Sequence, residues 1–418
     1  MGQYNSTKKT VLIIGGSFGG LTAAKILAKK FNVIVVDKKE FFEVNNTYFL
    51  DNFFNFFFLI KFTPSFHYAL QNPDYIDRIT ADIQNYANKN NFKFIRASVT
   101  KLDSNQATLQ ESNENFQTVL FDYCIIATGS NYASSVKPTE QIYTLQQRKE
   151  QLKQLINKFN NSKKVLVIGG GAVGVEIAGV VKDQFKHLEV ELWTKPQELL
   201  PQFPKRARRL ADSALKKLGI KIEYAKAIDK LPESQYDYIF DCRGNIYSPS
   251  FMMNDVFKQY VDSKGRIVVD QFMRLENYKH IYCIGDACIT PNDEPKMSYN
   301  ASIQGKFAAQ NIIKTENNDT SLKRLVDSSN IYNITTSKRQ AILCLGEKIA
   351  FESITVYYTK MMIEIITCQS FKGSSVCGVV GDMQKQLLIF MAYVFSKINR
   401  KKYQNQNLEQ PMHYQKLK

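Results

Sequence analysis

Two glycine-rich stretches carry the residue types and spacing best suited to chemistry. The first is Val11-Leu-Ile-Ile-Gly15-Gly16-Ser17-Phe18-Gly19-Gly20. The second, about 150 residues later, is Val165-Leu-Val-Ile-Gly169-Gly-Gly171-Ala-Val-Gly174-Val-Glu176. Glycines so spaced make a tight turn and let backbone amides approach a pyrophosphate, and a helix that follows turns its N-terminal amides and dipole towards the phosphates. One such stretch points to a chain that holds a nucleotide. Two point to a chain that holds a pair of them and passes electrons between them.

Strands and helices that would hold these loops can be read on either side of each. Each loop follows an aliphatic, β-branched run that reads as a buried parallel strand. In the first unit the spacing predicts a helix over residues 20–30, with Leu21, Ala24 and Leu27 on one face, and then the strand Asn32-Val-Ile-Val-Val36 ending in Asp37 and Lys38. An acid about 20 residues after the glycines is placed to bind ribose hydroxyls. Ser17 stands where the middle glycine is usual. In the second unit the helix carries Glu176, Ile177 and Val180, and the next strand, Glu189-Val-Glu-Leu-Trp-Thr194, is followed by Lys195. No acid stands at that strand end. A lysine there pairs with a 2′-phosphate that an acid would repel, so the site suits NADPH as well as NADH, although a solvated loop lysine reads the same way.

Further strand ends fall in order around the two loops. Phe121-Asp-Tyr-Cys-Ile-Ile-Ala-Thr128-Gly129 ends in Thr-Gly, Ile281-Tyr-Cys-Ile-Gly285-Asp286-Ala287 in Gly-Asp, and Tyr238-Ile-Phe-Asp-Cys-Arg243-Gly244 closes the second unit. With these motifs, residues 8–314 resemble the pyridine nucleotide–disulfide oxidoreductase superfamily, the flavoproteins with two dinucleotide-binding domains. The resemblance implies an α/β fold: two Rossmann-like domains, for FAD and NAD(P)H, and a smaller C-terminal α+β domain. The implied boundaries are 8–138 and 260–315 for a split FAD domain, 139–259 for the NAD(P)H domain and 316–418 for the C-terminal piece. By the same resemblance Asp37 holds the adenosine ribose of FAD, Thr128 and Gly129 pass its phosphates, and Asp286 meets its ribitol and pyrophosphate. Glu176 lies near the nicotinamide. Lys296, Met297 and Tyr299 open the helix at the flavin's pyrimidine edge, where a helix N-terminus stabilises negative charge.

Disulfide reductases of this type carry a paired-cysteine centre. No such pair follows the first glycine loop; the first cysteine is Cys124, inside a predicted strand. Cys283 and Cys288 flank the Gly-Asp motif and read as a core residue and a loop residue. Electrons are therefore expected to leave the flavin for a quinone rather than a protein disulfide. Together with Pro295-Lys-Met-Ser-Tyr299 and the Gly-Val-Glu of the second loop, this makes the chain most similar to the apoptosis-inducing-factor-like, ferroptosis-suppressor type of NAD(P)H:ubiquinone oxidoreductase. Two other readings stay open. One is a respiratory-type alternative NADH dehydrogenase; the other is a non-catalytic NAD(P)H-sensing flavoprotein.

Met1-Gly2-Gln3-Tyr4-Asn5-Ser6 fits the N-myristoylation pattern, with Gly2 as acceptor. One acyl chain binds membranes only marginally, and the net charge of +16 supplies a second attraction to an anionic surface. The expected location is peripheral, on the cytoplasmic face of the plasma membrane, a lipid droplet or the outer mitochondrial surface. No run approaches the roughly 18 apolar residues that span a bilayer, and no signal or transit sequence precedes the first strand. The seven cysteines lack patterned spacing, which fits a reducing compartment. The positive charge is spread along the chain, so no specific nucleic acid is expected; a homodimer is compatible with the sequence, and no metal site is expected. Leu387-Leu-Ile-Phe-Met-Ala-Tyr-Val-Phe395, followed by Lys397, Arg400, Lys401 and Lys402, reads as a core helix or an interfacial one. Lys397 is the lysine that the resemblance places near the flavin. Residues 44–61, rich in Asn and Phe, interrupt the path from Phe41-Phe-Glu43 to Phe62-Thr-Pro64-Ser-Phe66-His67. They read as an insertion, either translated intron sequence or a membrane-facing loop. Pro64, Phe66 and His67 then border the isoalloxazine on the substrate side.

Overall fold

The computed structural model describes residues 8–43, 69–111, 114–139, 141–228, 230–293, 295–324, 331–345, 349–354 and 372. Its first sheet begins with β1 (Thr10–Ile14), which runs through a glycine turn into helix α1 (Phe18–Leu27) and then β2 (Asn32–Asp37). The helix starts two residues earlier than the glycine spacing predicts and stops three earlier. Short strands β3 (Phe41–Glu43) and β4 (Thr80–Asp82) pair antiparallel and lead into α2 (Ile83–Asn90). A meander of β5 (Lys93–Leu102), β6 (Gln106–Glu111) and β7 (Phe116–Leu120) follows, then β8 (Tyr123–Ile126).

Helix α3 (Leu145–Asn160) crosses to a second sheet made by β9 (Lys164–Ile168), helix α4 (Ala172–Gln184), β10 (Glu189–Trp193), helix α5 (Lys205–Lys217), β11 (Lys221–Glu223) and β12 (Tyr238–Asp241). The chain then forms β13 (Ile267–Val268), β14 (Ile281–Cys283), β15 (Cys288–Ile289), the long helix α6 (Ser298–Glu316), and an antiparallel sheet of β16 (Ile331–Ser337), β17 (Gln340–Leu345) and β18 (Ile349–Ser353).

Strand order explains where a ligand fits. The first sheet runs β14-β8-β1-β2-β5-β6-β7, and its first five strands are parallel. The second runs β11-β10-β9-β12, all parallel. In each, chain order reverses beside the strand that carries the glycine loop, between β1 and β8 and between β9 and β12. That reversal opens a crevice at the carboxyl ends of the strands, where doubly wound sheets take their ligands. The 281–283 segment returns to the sheet begun at residue 10, so the first sheet draws on two distant parts of the chain. Strands β1, β8 and β9 are apolar along their length because both of their faces are covered; Val11, Leu12, Ile13, Cys124, Ile125, Ile126 and Val165 to Val167 are wholly buried.

Packing against α1 is close enough to touch backbone. A Cβ on Gly305 of α6 would stand 2.3 Å from the carbonyl oxygen of Gly19, and one on Gly19 would stand 2.9 Å from that of Ala301. A similar approach joins α4 to the C-terminal sheet, where a Cβ on Gly179 would lie 2.1 Å from the oxygen of Thr336.

One buried ion pair fixes the crossover between the two sheets. Arg148 Nε and Nη2 each donate to Glu43 at 3.1 Å, and both side chains are almost completely buried, at 1% and 3% exposure. Arg148 also donates to the carbonyls of Ser135 and Val136 and to Gln151. It thereby ties α3, β3 and the segment after β8 together. Removing one partner of such a pair strands the other charge, at a cost of about 3–5 kcal/mol. Arg148→Met is expected to lower the urea midpoint by that equivalent with little change in slope, and adding Glu43→Met should recover part of the loss.

Candidate dinucleotide-binding sites

The first cradle is built by β1, α1 and β8. Gly15 donates its N–H to the carbonyl of Val36 at 2.8 Å and has φ +116°; a Cβ there would lie 2.2 Å from the oxygen of Ala127. A Cβ on Gly20 would lie 1.9 Å from the oxygen of Gly15, so α1 starts in contact with the turn beneath it. Ser17 caps α1 by position, but its side chain makes no capping bond, which leaves the first-turn amides to a ligand or solvent. Phe18 is buried edge-on against Phe42, at 4.7 Å between ring centres.

Asp37 is locked by the loop it faces. Its Oδ2 accepts the N–H of Gly16 at 2.7 Å and its Oδ1 that of Lys39 at 2.9 Å, while Lys38 is half-buried between them in sequence. Across the crevice, Thr128 is exposed and Gly129 takes φ +69°. Ser130 Oγ donates to Asp286 Oδ2 at 2.7 Å, and Lys137 Nζ donates to the Ser130 carbonyl at 2.7 Å and lies 3.9 Å from Asp286. These contacts bring the Thr-Gly and Gly-Asp ends together.

Beneath them Gly285 N–H donates to Gln304 at 2.6 Å. Met297 is the buried N-cap of α6, and Tyr299 is the second residue of the helix. Lys296 lies two residues ahead of it, with Nζ on the Cys288 carbonyl at 2.7 Å. The hydroxyls of Ser298 and Ser302, in the first turns of α6, are buried without a hydrogen-bond partner. Open amides, a backbone cradle and orphaned hydroxyls at the start of α6 fit a dinucleotide such as FAD.

The second cradle repeats the first. Gly169 donates to the Trp193 carbonyl at 2.8 Å and has φ +115°, with Cys242 O 2.6 Å from where its Cβ would stand. A Cβ on Gly174 would lie 1.8 Å from the oxygen of Gly169. Gly171 is the N-cap of α4, with open space where a Cβ would point. Thr194 is buried, its Oγ1 has no partner, and that atom would lie 2.4 Å from a Cβ on Gly170. Lys195 is exposed, and Arg243 clasps Asp241 beside Gly244. Glu176, on α4, is buried, and its Oε1 accepts the N–H of Thr335 in β16 at 2.9 Å. The helix glutamate is thus held by the C-terminal sheet, a contact that periodicity could not reveal.

Three features depart from the sequence expectations or escape them. Cys288 is not a loop residue: it is buried in β15, which pairs with β13. Strand β10 ends at Trp193, one residue before the predicted Thr194. Glu191, Tyr236 and Lys226 gather around Trp193. The indole N–H donates to Glu191 Oε2 at 3.0 Å, the Tyr236 hydroxyl donates to the same oxygen at 2.7 Å, and Lys164 pairs with Oε1 at 3.1 Å. Tyr236 also packs edge-on against the indole, at 5.6 Å. The alternation of Glu189-Val-Glu marks a strand, but only tertiary pairing gives Glu191 its partners. Gly2, residues 44–61, Pro64, Phe66, His67, Lys397 and the apolar 387–395 run lie outside the described residues. Among the described residues no helix is long and apolar enough to cross a membrane.

Residues 9–305 match the pyridine nucleotide-disulphide oxidoreductase family, and the chain belongs to it. It is a family of FAD-dependent NAD(P)H oxidoreductases. Among curated proteins, the chain is 25% identical over 393 residues to apoptosis-inducing factor homolog B of Dictyostelium discoideum, covering 82% of this chain and 92% of that one. It is 26% identical over 339 residues to ferroptosis suppressor protein 1 of Xenopus tropicalis, covering 75% and 83%. Among solved structures, NDH2 from Plasmodium falciparum in complex with NADH shares the fold, with a TM-score of 0.67 at 13% identity over 85% of this chain and 94% of that one.

Burial pushes the Glu191 carboxyl up, but the hydrogen bonds from Tyr236, Lys164 and Trp193 outweigh it and bring it down to about 2, from an ordinary 4.5. A carboxyl held low in the folded state contributes stability above its unfolded value and loses it as the pH falls through the folded one. Glu191→Gln is therefore expected to be less stable than wild type above pH 4.5, and the gap should close as the pH approaches 2. Urea midpoints at stepped pH measure it.

Proposed function

We propose that this protein is an NAD(P)H:quinone oxidoreductase that works at a membrane surface, with FAD in the first cradle and NAD(P)H in the second. FAD, when bound, supplies the relay that takes hydride from the nicotinamide and delivers electrons to a ubiquinone-like acceptor. The chain's own residues hold and orient. Gly15, Gly16, Ser17, Gly19 and Gly20 present backbone to the FAD pyrophosphate, Asp37 faces the adenosine ribose, and Asp286, fixed by Ser130 and Lys137, faces the ribitol side. Gly169, Gly171 and Gly174 would take the second pyrophosphate, and Glu176, two residues further along α4, is the residue assigned to the nicotinamide. The start of α6, with Lys296 and Met297 ahead of it, would favour negative charge on a flavin bound beside it.

The observation that carries the quinone reading is the position of the cysteines. All five in the described residues are free and buried, and none precedes Cys124 in the sequence. Burial also pushes the Cys124 and Cys242 thiols upward, Cys242 to about 12, so neither is a ready nucleophile. A diffusible quinone needs no such thiol. Ferroptosis suppressor protein 1 and apoptosis-inducing factor homologs, to which the chain is similar along most of its length, support the placement within the family.

Purified protein supplemented with FAD is expected to show flavin absorbance and to oxidise NADH or NADPH continuously with a short-chain ubiquinone. Flavin that is reduced once and then stalls with every quinone tried would overturn the quinone assignment. For the membrane anchor, a myristate analogue fed to expressing cells should label wild type, and Gly2→Ala should lose the label and most of its membrane fraction.

A further inference from the structure

The carboxyl end of β10 carries a cation on an aromatic platform. Lys226 Nζ stands 3.3 Å from the centre of the Trp193 ring. The backbone holds it there: Lys226 N–H donates to the Thr194 carbonyl at 3.0 Å, and Ala225 N–H donates to that of Pro196 at 3.1 Å. Trp193 is itself fixed by Glu191 and Tyr236. The ammonium is thus positioned before any ligand arrives, and it lies beside the strand end that faces the adenosine ribose in dinucleotide-binding sheets.

The surrounding charges favour an anion. The strand end offers Thr194 in place of a carboxylate, with its buried hydroxyl unpartnered and directed at the glycine loop. Lys195 follows it and is exposed. Of the nearby acids, Glu223 pairs with Lys221 at 2.9 Å and also feels the charge of Lys226, and Asp241 pairs with Arg243 at 2.7 Å. Arg243 is drawn towards the same edge, with Nη1 on the carbonyl of Ile228 at 3.1 Å.

We propose that Lys226 on Trp193, together with Lys195, forms a subsite for a 2′-phosphomonoester, so that the second cradle takes NADPH in preference to NADH. This rests on the reading that the second cradle holds a pyridine nucleotide. Lys226 acts as the specificity-determining residue, and the indole keeps its ammonium extended and partly desolvated, where a dianionic phosphate meets it at close range.

The test uses fragments that carry only the adenosine end. In calorimetric titrations of the full chain at low salt, 2′,5′-ADP should bind at least about tenfold more tightly than 5′-AMP, the discrimination that a charge-assisted contact supplies. Lys226→Ala should reduce that ratio to about threefold or less, while Lys226→Arg should retain most of it. In both variants the KM for NADPH should rise more than the KM for NADH, and more in Lys226→Ala than in Lys226→Arg. Trp193 is the only tryptophan of the chain, so 2′,5′-ADP should also shift the protein's indole emission and 5′-AMP should not. Equal affinities for the two fragments in wild type, or a ratio unchanged in Lys226→Ala, would overturn the proposal. A protein that holds flavin and turns over NADH yet fails these titrations keeps its function and loses this subsite. One that holds no flavin loses the function reading, whatever the titrations give.

Discussion

Each half of this protein depends on a contact between a helix and the turn that launches it, made backbone to backbone. Gly20 lies against the carbonyl of Gly15, and Gly174 against that of Gly169, closely enough that any side chain would displace the helix. The requirement is steric, and it fixes the direction of α1 and α4 relative to their strands. With that direction set, the helix amides aim into the crevice where strand order reverses, and an anion there meets several partial positive charges at once. A helix pushed outward by a methyl group would still be a helix, but it would no longer point at the site.

The remaining structure holds the two crevices in register. Gly19 and Gly305 let α6 lie against α1, so the Gly-Asp strand end and the helix after it share a wall with the first glycine loop. Arg148 and Glu43 join the crossover helix to the first half, and five donor contacts from one guanidinium offset the cost of burying it. On the far side, α4 is clamped to β16 through Gly179 and through the Glu176 carboxylate on a backbone amide. The C-terminal sheet thereby reaches the second site through a backbone amide.

Electrostatics distinguish the two cradles more than geometry does. At the end of β2 an acid is tied to its own loop, an arrangement that suits neutral ribose hydroxyls. At the end of β10 there is a threonine, and two lysines stand nearby, one of them on an indole whose orientation a buried glutamate sets. The same fold thus offers two different environments to two similar ligands.

Residue order alone reveals the two glycine loops, their strands, Asp37, and the Thr-Gly and Gly-Asp ends. These are local: a φ near +115° or a strand covered on both faces constrains residue type at one position or along one short run. Helix limits were less legible, because α1 begins where the loop allows rather than where its apolar periodicity starts. Whatever depends on residues distant in the chain emerges from the packing of the folded protein. It placed Arg148 on Glu43, Ser130 and Lys137 on Asp286, Thr335 on Glu176, and Lys226 on Trp193, and it made Cys288 a buried strand residue. A lysine in a loop and a glutamate on a strand carry no mark of their partners, since a contact between distant residues depends on how sheets and helices pack and leaves no period in the sequence.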